Sequence, residues 1–241
     1  MGGGGMAGRP SLLLLPGLLC DEALWGPQVA ALGDRADIRI ADLTQDDSVA
    51  AMARRALHGA PERFALAGLS MGGYVALEIM AKAPERVERL ALLDTSARAD
   101  TPEQGRRRRG LIALAGRGQF KGITPRLLPM LIHPARIADE ALTGIVIGMA
   151  ERVGKDAFLR QQQAIMGRPD RRSLLSAIRV PTLVLCGNED ALTPVELHRE
   201  LASGIATSRL TVVPECGHLS TIERPEAVSA AFARWLATSD E

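Results

Sequence analysis

The stretch ERFALAGLSMGGYVALEIMAKAPERV, residues 62–87, decides how the rest of the chain is read. A short apolar run ends at Gly68-Leu69-Ser70-Met71-Gly72, and a helical spacing of apolar residues begins at once. Glycines flanking a small hydroxyl residue admit two explanations. They let a strand and a helix pack closely, or they hold Ser70 out as a nucleophile on a strained strand-to-helix turn. A serine hydroxyl is a weak nucleophile at neutral pH. The second explanation therefore needs a base, a partner that orients the base, and donors for a developing oxyanion.

The wider composition sets the frame. The chain has 241 residues, 46% hydrophobic and 24% charged, enough for a large buried core. Twenty-nine Lys and Arg against twenty-eight Asp and Glu leave a formal net charge of +1, so no overall field gathers nucleic acid or an anionic membrane. The local run Arg106-Arg107-Arg108-Arg109 is read as a solvated helix face, with an anion site as the alternative. Cys20, Cys186 and Cys216 are widely spaced and odd in number, which predicts neither a disulfide framework nor a metal site. The apolar run Leu12 to Leu15 is broken by Pro16-Gly17, too soon for a membrane span, and no signal-peptide cleavage site follows. The opening MGGGGM has Met6 where a myristoylation start needs Ser or Thr, so it reads as a tail, with the fold starting near Arg9. The expected setting is the reducing cytoplasm, as a monomer or homodimer.

Apolar runs at 11–15, 37–41, 63–67, 89–93, 182–186 and 209–213 read as strands, near-continuous in Leu, Val, Ile and Ala as parallel strands covered on both faces are. Segments 47–58, 71–83, 195–203 and 225–237 read as helices between them. The alternation predicts an α/β fold with a mostly parallel, doubly wound sheet. From 97 to 176 the rhythm breaks into helical patterns alone, at GRRRRGLIALAG, TPRLLPMLI, DEALTGIVIGMAERV and AFLRQQQAIM. So long a connection reads as an inserted helical cap, with 1–96 and 177–241 as the core.

Four histidines compete for the role of base. His58 ends an upstream helix, His133 precedes a proline in the cap region, and His198 sits mid-helix beside Arg199 and Glu200 on an expected solvated face. His218 follows the last strand across Pro214-Glu215-Cys216-Gly217, a turn that brings it to the strand ends. For the orienting acid, Asp190 in TLVLCGNEDALTP ends a buried strand at the carboxyl side, where sites in open α/β sheets lie. Glu189 is expected to point away. Asp94 in LALLDTSA also ends a strand and is a rival. The oxyanion donors are expected to be the backbone N–H groups of Met71, after the nucleophile, and Leu18, in the turn following Pro16-Gly17.

With these pieces assembled, GLSMGGYVALEIMAKAPERVERLALLD, VPTLVLCGNEDALTP and VPECGHLSTIERPEAV resemble the corresponding blocks of the α/β-hydrolase superfamily. Among its branches the chain is most similar to compact capped carboxylesterases, such as pimeloyl-carrier-protein methyl ester esterases and 3-oxoadipate enol-lactonases. The resemblance implies a shortened sheet of six or seven strands and a serine hydrolase acting on an ester, thioester or lactone. It implies Ser70 as nucleophile, His218 as base and acid, Asp190 as orienter, and no metal or organic cofactor. One departure stands out: Pro16-Gly17 replaces the His-Gly of many relatives, which alters the loop carrying Leu18. A perhydrolase or cofactor-free haloperoxidase shares the same triad, and a low-turnover receptor on this fold is the rival outside enzymes. Leu111, Ile112, Leu127, Leu128, Met130, Leu131, Ile145, Ile147 and Met149 in the cap point to an aliphatic pocket for a small-molecule substrate, with packing in a helical core as the alternative.

Overall fold

Six strands form one sheet: β1 (Ser11–Leu15), β2 (Asp37–Ile40), β3 (Phe64–Leu69), β4 (Val87–Leu93), β5 (Thr182–Gly187) and β6 (Ser208–Val213). Their order is β2-β1-β3-β4-β5-β6, and every neighbouring pair is parallel. The computed structural model describes residues 9–237; the segment 1–8, with its MGGGGM tail, lies outside the described residues. All six strands sit where the apolar runs placed them, shifted at their ends by one or two residues.

The period-two alternation of each strand divides the core in two. Leu12, Leu14, Ala67 and Leu69 join one cluster with Trp25, Phe232 and Trp235. Leu13, Leu15, Leu66 and Val184 join the other with Met52, Val75, Ile79 and Leu201. Helices cover both faces: α1 (Gly26–Leu32) and, at the C-terminal end, α8 (Ser220–Glu223) and α9 (Pro225–Ala237) on one, α2 (Val49–Gly59), α3 (Met71–Lys82) and α7 (Val195–Gly204) on the other. Helix α1 has no counterpart in the sequence reading. Its seven residues, GPQVAAL, are too few to establish a 3.6-residue period, and Pro27 masks the start.

Between β4 and β5 the described residues contain no strand. They form α4 (Pro102–Leu114), α5 (Leu128–Leu131) and the long α6 (Glu140–Met166). Helix α4 is opened by a capping box in which Thr101 and Gln104 satisfy each other's backbone N–H groups. Helix α6 unites two segments that read separately. The break between them survives at Gly154, where φ is 74° and the helix kinks.

Chain direction across the sheet reverses at β1, since β2 lies on one side of it and β3 on the other. Clefts in open α/β sheets form outside the carboxyl ends of strands at such a reversal. The loops after β1, β3, β5 and β6 carry Leu18, Ser70, Asp190 and His218, so the topology delivers all four to one edge.

Candidate active site

Ser70 occupies the single residue between β3 and α3, with φ 54° and ψ −113°. A non-glycine residue there costs on the order of 1–3 kcal/mol and persists only when its surroundings fix it. They do. The Ser70 N–H donates to Leu93 O at 2.9 Å, while its carbonyl accepts from Thr95 Oγ1 at 2.7 Å and from the Gly73 N–H at 2.9 Å.

The neighbouring glycines are there for proximity. A Cβ on Gly68 would stand 2.3 Å from Gly72 O, and one on Gly72 would stand 2.0 Å from Leu15 O. Neither is among the glycines with positive φ. Removing either hydrogen's worth of space would push α3 off the central strands, so Gly72→Ala is expected to destabilise the fold by at least about 3 kcal/mol, the upper range for overpacking against a rigid neighbour. Urea unfolding measures it, and an unchanged midpoint would contradict the packing described.

His218 Nε2 lies 2.9 Å from Ser70 Oγ, and His218 Nδ1 lies 3.0 and 2.9 Å from the two carboxylate oxygens of Asp190. Asp190 also accepts from the Leu192 and Thr193 N–H groups and from Thr193 Oγ1, at 2.6–2.9 Å. Burial alone would lower the His218 pKa, but the charge and hydrogen bond of Asp190 prevail and raise it above its ordinary value. Burial likewise works against the Asp190 charge, and the His218 and Thr193 contacts overcome it, holding this carboxyl below the usual range. Asp94 does not bond to the imidazole. Fully buried with φ 45°, it accepts from the Gly187 N–H at 3.1 Å and pairs with Ser220 Oγ at 2.5 Å. Burial and then the nearby Asp190 charge push its pKa well above the ordinary carboxyl value. Glu189 accepts from the Cys216 N–H instead.

His198 overturns its sequence reading. The expected solvated histidine is completely buried, because α7 turns that face onto the sheet edge. Its Nε2 accepts from the Thr95 N–H at 2.9 Å, and its Nδ1 lies 3.3 Å from Pro194 O. Burial lowers its pKa to about 4, so it is neutral. Through Thr95 it braces the Ser70 carbonyl. A folded pKa below the unfolded value means that the unfolded chain binds the extra proton between about pH 6.5 and 4, so folding stability falls as pH drops through that window. At pH 5 the loss is about 2 kcal/mol. His198→Gln, which keeps an acceptor, is expected to remove that loss; parallel urea titrations at pH 7 and 5 decide it.

Two further residues escaped the sequence. Glu223, fully buried on α8, accepts the Gly217, Leu219 and His133 N–H groups and so shapes the turn around His218. Gln161 on α6 accepts the Leu19 N–H at 3.0 Å and donates to Leu43 O at 3.2 Å. In the turn after β1 the positive φ, 59°, belongs to Leu19, and Gly17 is not among the positive-φ glycines. With Leu19 engaged, the Leu18 N–H has no acceptor among the described residues. Met71 is the first residue of α3, where a helix leaves its N–H unpaired.

Ser70 and His218 open into a cavity of about 540 Å³ between the sheet edge and the helices of 97–176. Leu18, Leu111, Val146, Met149 and Phe158 supply aliphatic and aromatic wall. Arg107 and Arg108 line it too, which corrects the reading of residues 106–109 as a wholly solvated face. Of the run, Arg108 is half-buried and Arg107 lines the cavity while remaining exposed. The three cysteines are free and buried, and no group of three or more His, Cys, Asp or Glu among the described residues could hold a metal ion. No helix among them is long and apolar enough to cross a membrane.

Residues 9–231 match the model of the Alpha/beta hydrolase family. The chain belongs to that family. This alpha/beta hydrolase is 28% identical to a putative carbamate hydrolase, RutD, of Agrobacterium fabrum, across 98% of its own length and 96% of the relative's. It superposes on a thermophilic esterase from Thermogutta terrifontis with a TM-score of 0.86, at 29% identity over 94% of this chain and 89% of the other. The enol-lactonase from Burkholderia xenovorans LB400 follows at a TM-score of 0.85 and 25% identity, covering 98% and 94%.

Proposed function

We propose that this alpha/beta hydrolase cleaves a carboxylic ester, thioester or lactone with a small to medium apolar acyl group through an acyl-enzyme. The observation that carries the reading is the 2.9 Å approach of His218 Nε2 to Ser70 Oγ at the wall of the 540 Å³ cavity. With Nδ1–H donating to Asp190, Nε2 is free to accept the serine proton. Ser70 attacks the carbonyl carbon as that proton passes to His218. The new oxyanion rests on the Leu18 and Met71 N–H groups, and its collapse expels the alcohol or thiol, which takes the proton back. Water, deprotonated by the same histidine, then attacks the acyl-enzyme and releases the acid. Segment 97–176 acts as a lid, because its side chains, Leu111, Val146 and Met149 among them, form part of the wall of the cavity into which the serine opens. The relatives named as an esterase and an enol-lactonase support this carbonyl chemistry.

A fluorophosphonate probe tests the assignment. It is expected to label the folded protein once, at Ser70, and p-nitrophenyl butyrate is expected to give a burst of p-nitrophenol equal to the labelled fraction. Folded protein that stays unlabelled would sink the reading and favour a binding protein on this fold. Adding hydrogen peroxide and measuring peracid against acid distinguishes perhydrolysis, in which peroxide replaces water at the second step.

A further inference from the structure

We infer that the cavity beside Ser70 contains an anion subsite formed by Arg107 and Lys121, and that the preferred ester carries a second, oxyanionic group such as a carboxylate or phosphate. The inference rests on the ester-hydrolase reading and narrows its substrate class.

Charge bookkeeping around the cavity leads to it. Five cationic residues line the cavity, Arg98, Arg107, Arg108, Lys121 and Arg168, and no Asp or Glu does. Three of the five are paired with carboxylates, two of them sharing one. Arg98 forms a two-point pair with Glu200 at 2.9 Å, and Asp100 accepts from both Arg108, at 2.7 Å, and Arg168, at 2.6 Å. Arg108 is further held by Gln162 Oε1 at 2.9 Å. The other two have no carboxylate partner among the described residues. Arg107 Nη2 reaches only Met130 Sδ, at 3.3 Å, and a thioether is a weak acceptor for a guanidinium.

The position of Arg107 is set by the fold. Gln104, Arg107, Arg108 and Leu111 of α4 line the cavity, at spacings that share one helix face, whereas Arg106 and Arg109 do not line it. Met130, the contact of Arg107, precedes Leu131, whose carbonyl accepts the His218 and Leu219 N–H groups at 3.0 and 3.1 Å. The unpaired guanidinium is thus anchored one residue from the segment that docks on the His218 turn. Aliphatic lining such as Leu111, Val146 and Met149, together with two exposed cations that have no carboxylate partner among the described residues, is suited to an aliphatic acyl chain ending in an oxyanion. An arginine presents its fork of donors to such a group at two points.

The test compares kcat/KM for ω-carboxy methyl esters of graded length with methyl alkanoates of equal length, at fixed ionic strength. Esters with an ω-phosphono group form a third arm and tell which oxyanion fits. The wild type is expected to prefer an anionic ester over its neutral counterpart by about tenfold to a hundredfold, the range of a charge-assisted hydrogen bond. In Arg107→Gln and Lys121→Gln the preference is expected to shrink by at least tenfold, and to weaken with added salt in the wild type. Arg106→Gln removes the same charge from the same helix but outside the cavity, and is expected to keep the preference. A wild type that favours neutral esters, or a preference lost equally in Arg106→Gln, would overturn the subsite while leaving Ser70-dependent hydrolysis intact. If no ester is turned over, the ester-hydrolase reading falls, and calorimetric titration with monomethyl adipate decides the subsite: binding abolished in Arg107→Gln supports it, and equal or absent binding in both proteins overturns it.

Discussion

Ser70→Ala is expected to reduce ester turnover by about a million-fold, the scale seen when a serine nucleophile is removed from a complete triad. The protein should remain folded. Alanine keeps the backbone at φ 54°, and the bonds that fix this turn run through the Ser70 N–H and carbonyl, neither of which changes. The side chain contributes one hydrogen bond, to His218, so the urea midpoint is expected to move by no more than about 1 kcal/mol's worth. The residual rate should be that of the oxyanion donors and substrate binding alone, and it should show no burst. A variant that hydrolyses the same ester panel at the wild-type rate would remove Ser70 from the mechanism and leave the cavity without a nucleophile. Unfolding together with loss of rate would instead mean that the hydroxyl supports the elbow.

The contrast between Ser70 and His198 shows what the sequence carries and what it omits. A strand that must be buried on both faces announces itself by its own composition, so β1, β3 and β5 were legible without any partner. Ser70 and His218 were legible because each lies at a switch between two periodicities, and because the chemistry of one demands the other. The acid was narrowed to strand ends, yet Asp94 and Asp190 carry the same local signal. Their tertiary placement separates them: Asp190, three residues beyond β5, meets the imidazole, and Asp94, directly after β4, meets Ser220. His198 failed for a different reason. Its neighbours Arg199 and Glu200 are charged, and a helix face is assigned from the majority of its residues. Burying one neutral imidazole needs only two backbone partners, and while Pro194 lies one helical turn away, Thr95 is 103 residues distant, outside any pattern that a local window samples. Gln161 and Glu223 belong to the same class: each satisfies backbone groups of distant loops, so its role is set by tertiary contact and not by spacing.

Asp190→Asn is expected to lower kcat/KM at pH 7 by about ten-thousandfold, as loss of the orienting charge permits the wrong imidazole tautomer. The pH profile supplies the sharper evidence. Hydrolysis requires neutral His218, and the folded pKa of this group lies above 6.5 because Asp190 outweighs burial. Wild-type kcat/KM is therefore expected to fall with decreasing pH through a midpoint above 6.5. In the asparagine variant the charge is gone and burial remains, so the midpoint of the residual activity should move to lower pH. Asp94→Asn is the control. Its carboxyl bonds to the Gly187 N–H and Ser220 Oγ and not to the imidazole, so the change in rate should be less than about tenfold, the worth of a neutral hydrogen bond. The two variants thus separate a carboxylate that meets the imidazole from one that meets Ser220. If Asp94→Asn cost more than Asp190→Asn and shifted the acid limb, the orienting role would pass to Asp94. The 2.9 Å contact between Asp190 and His218 would then be structural.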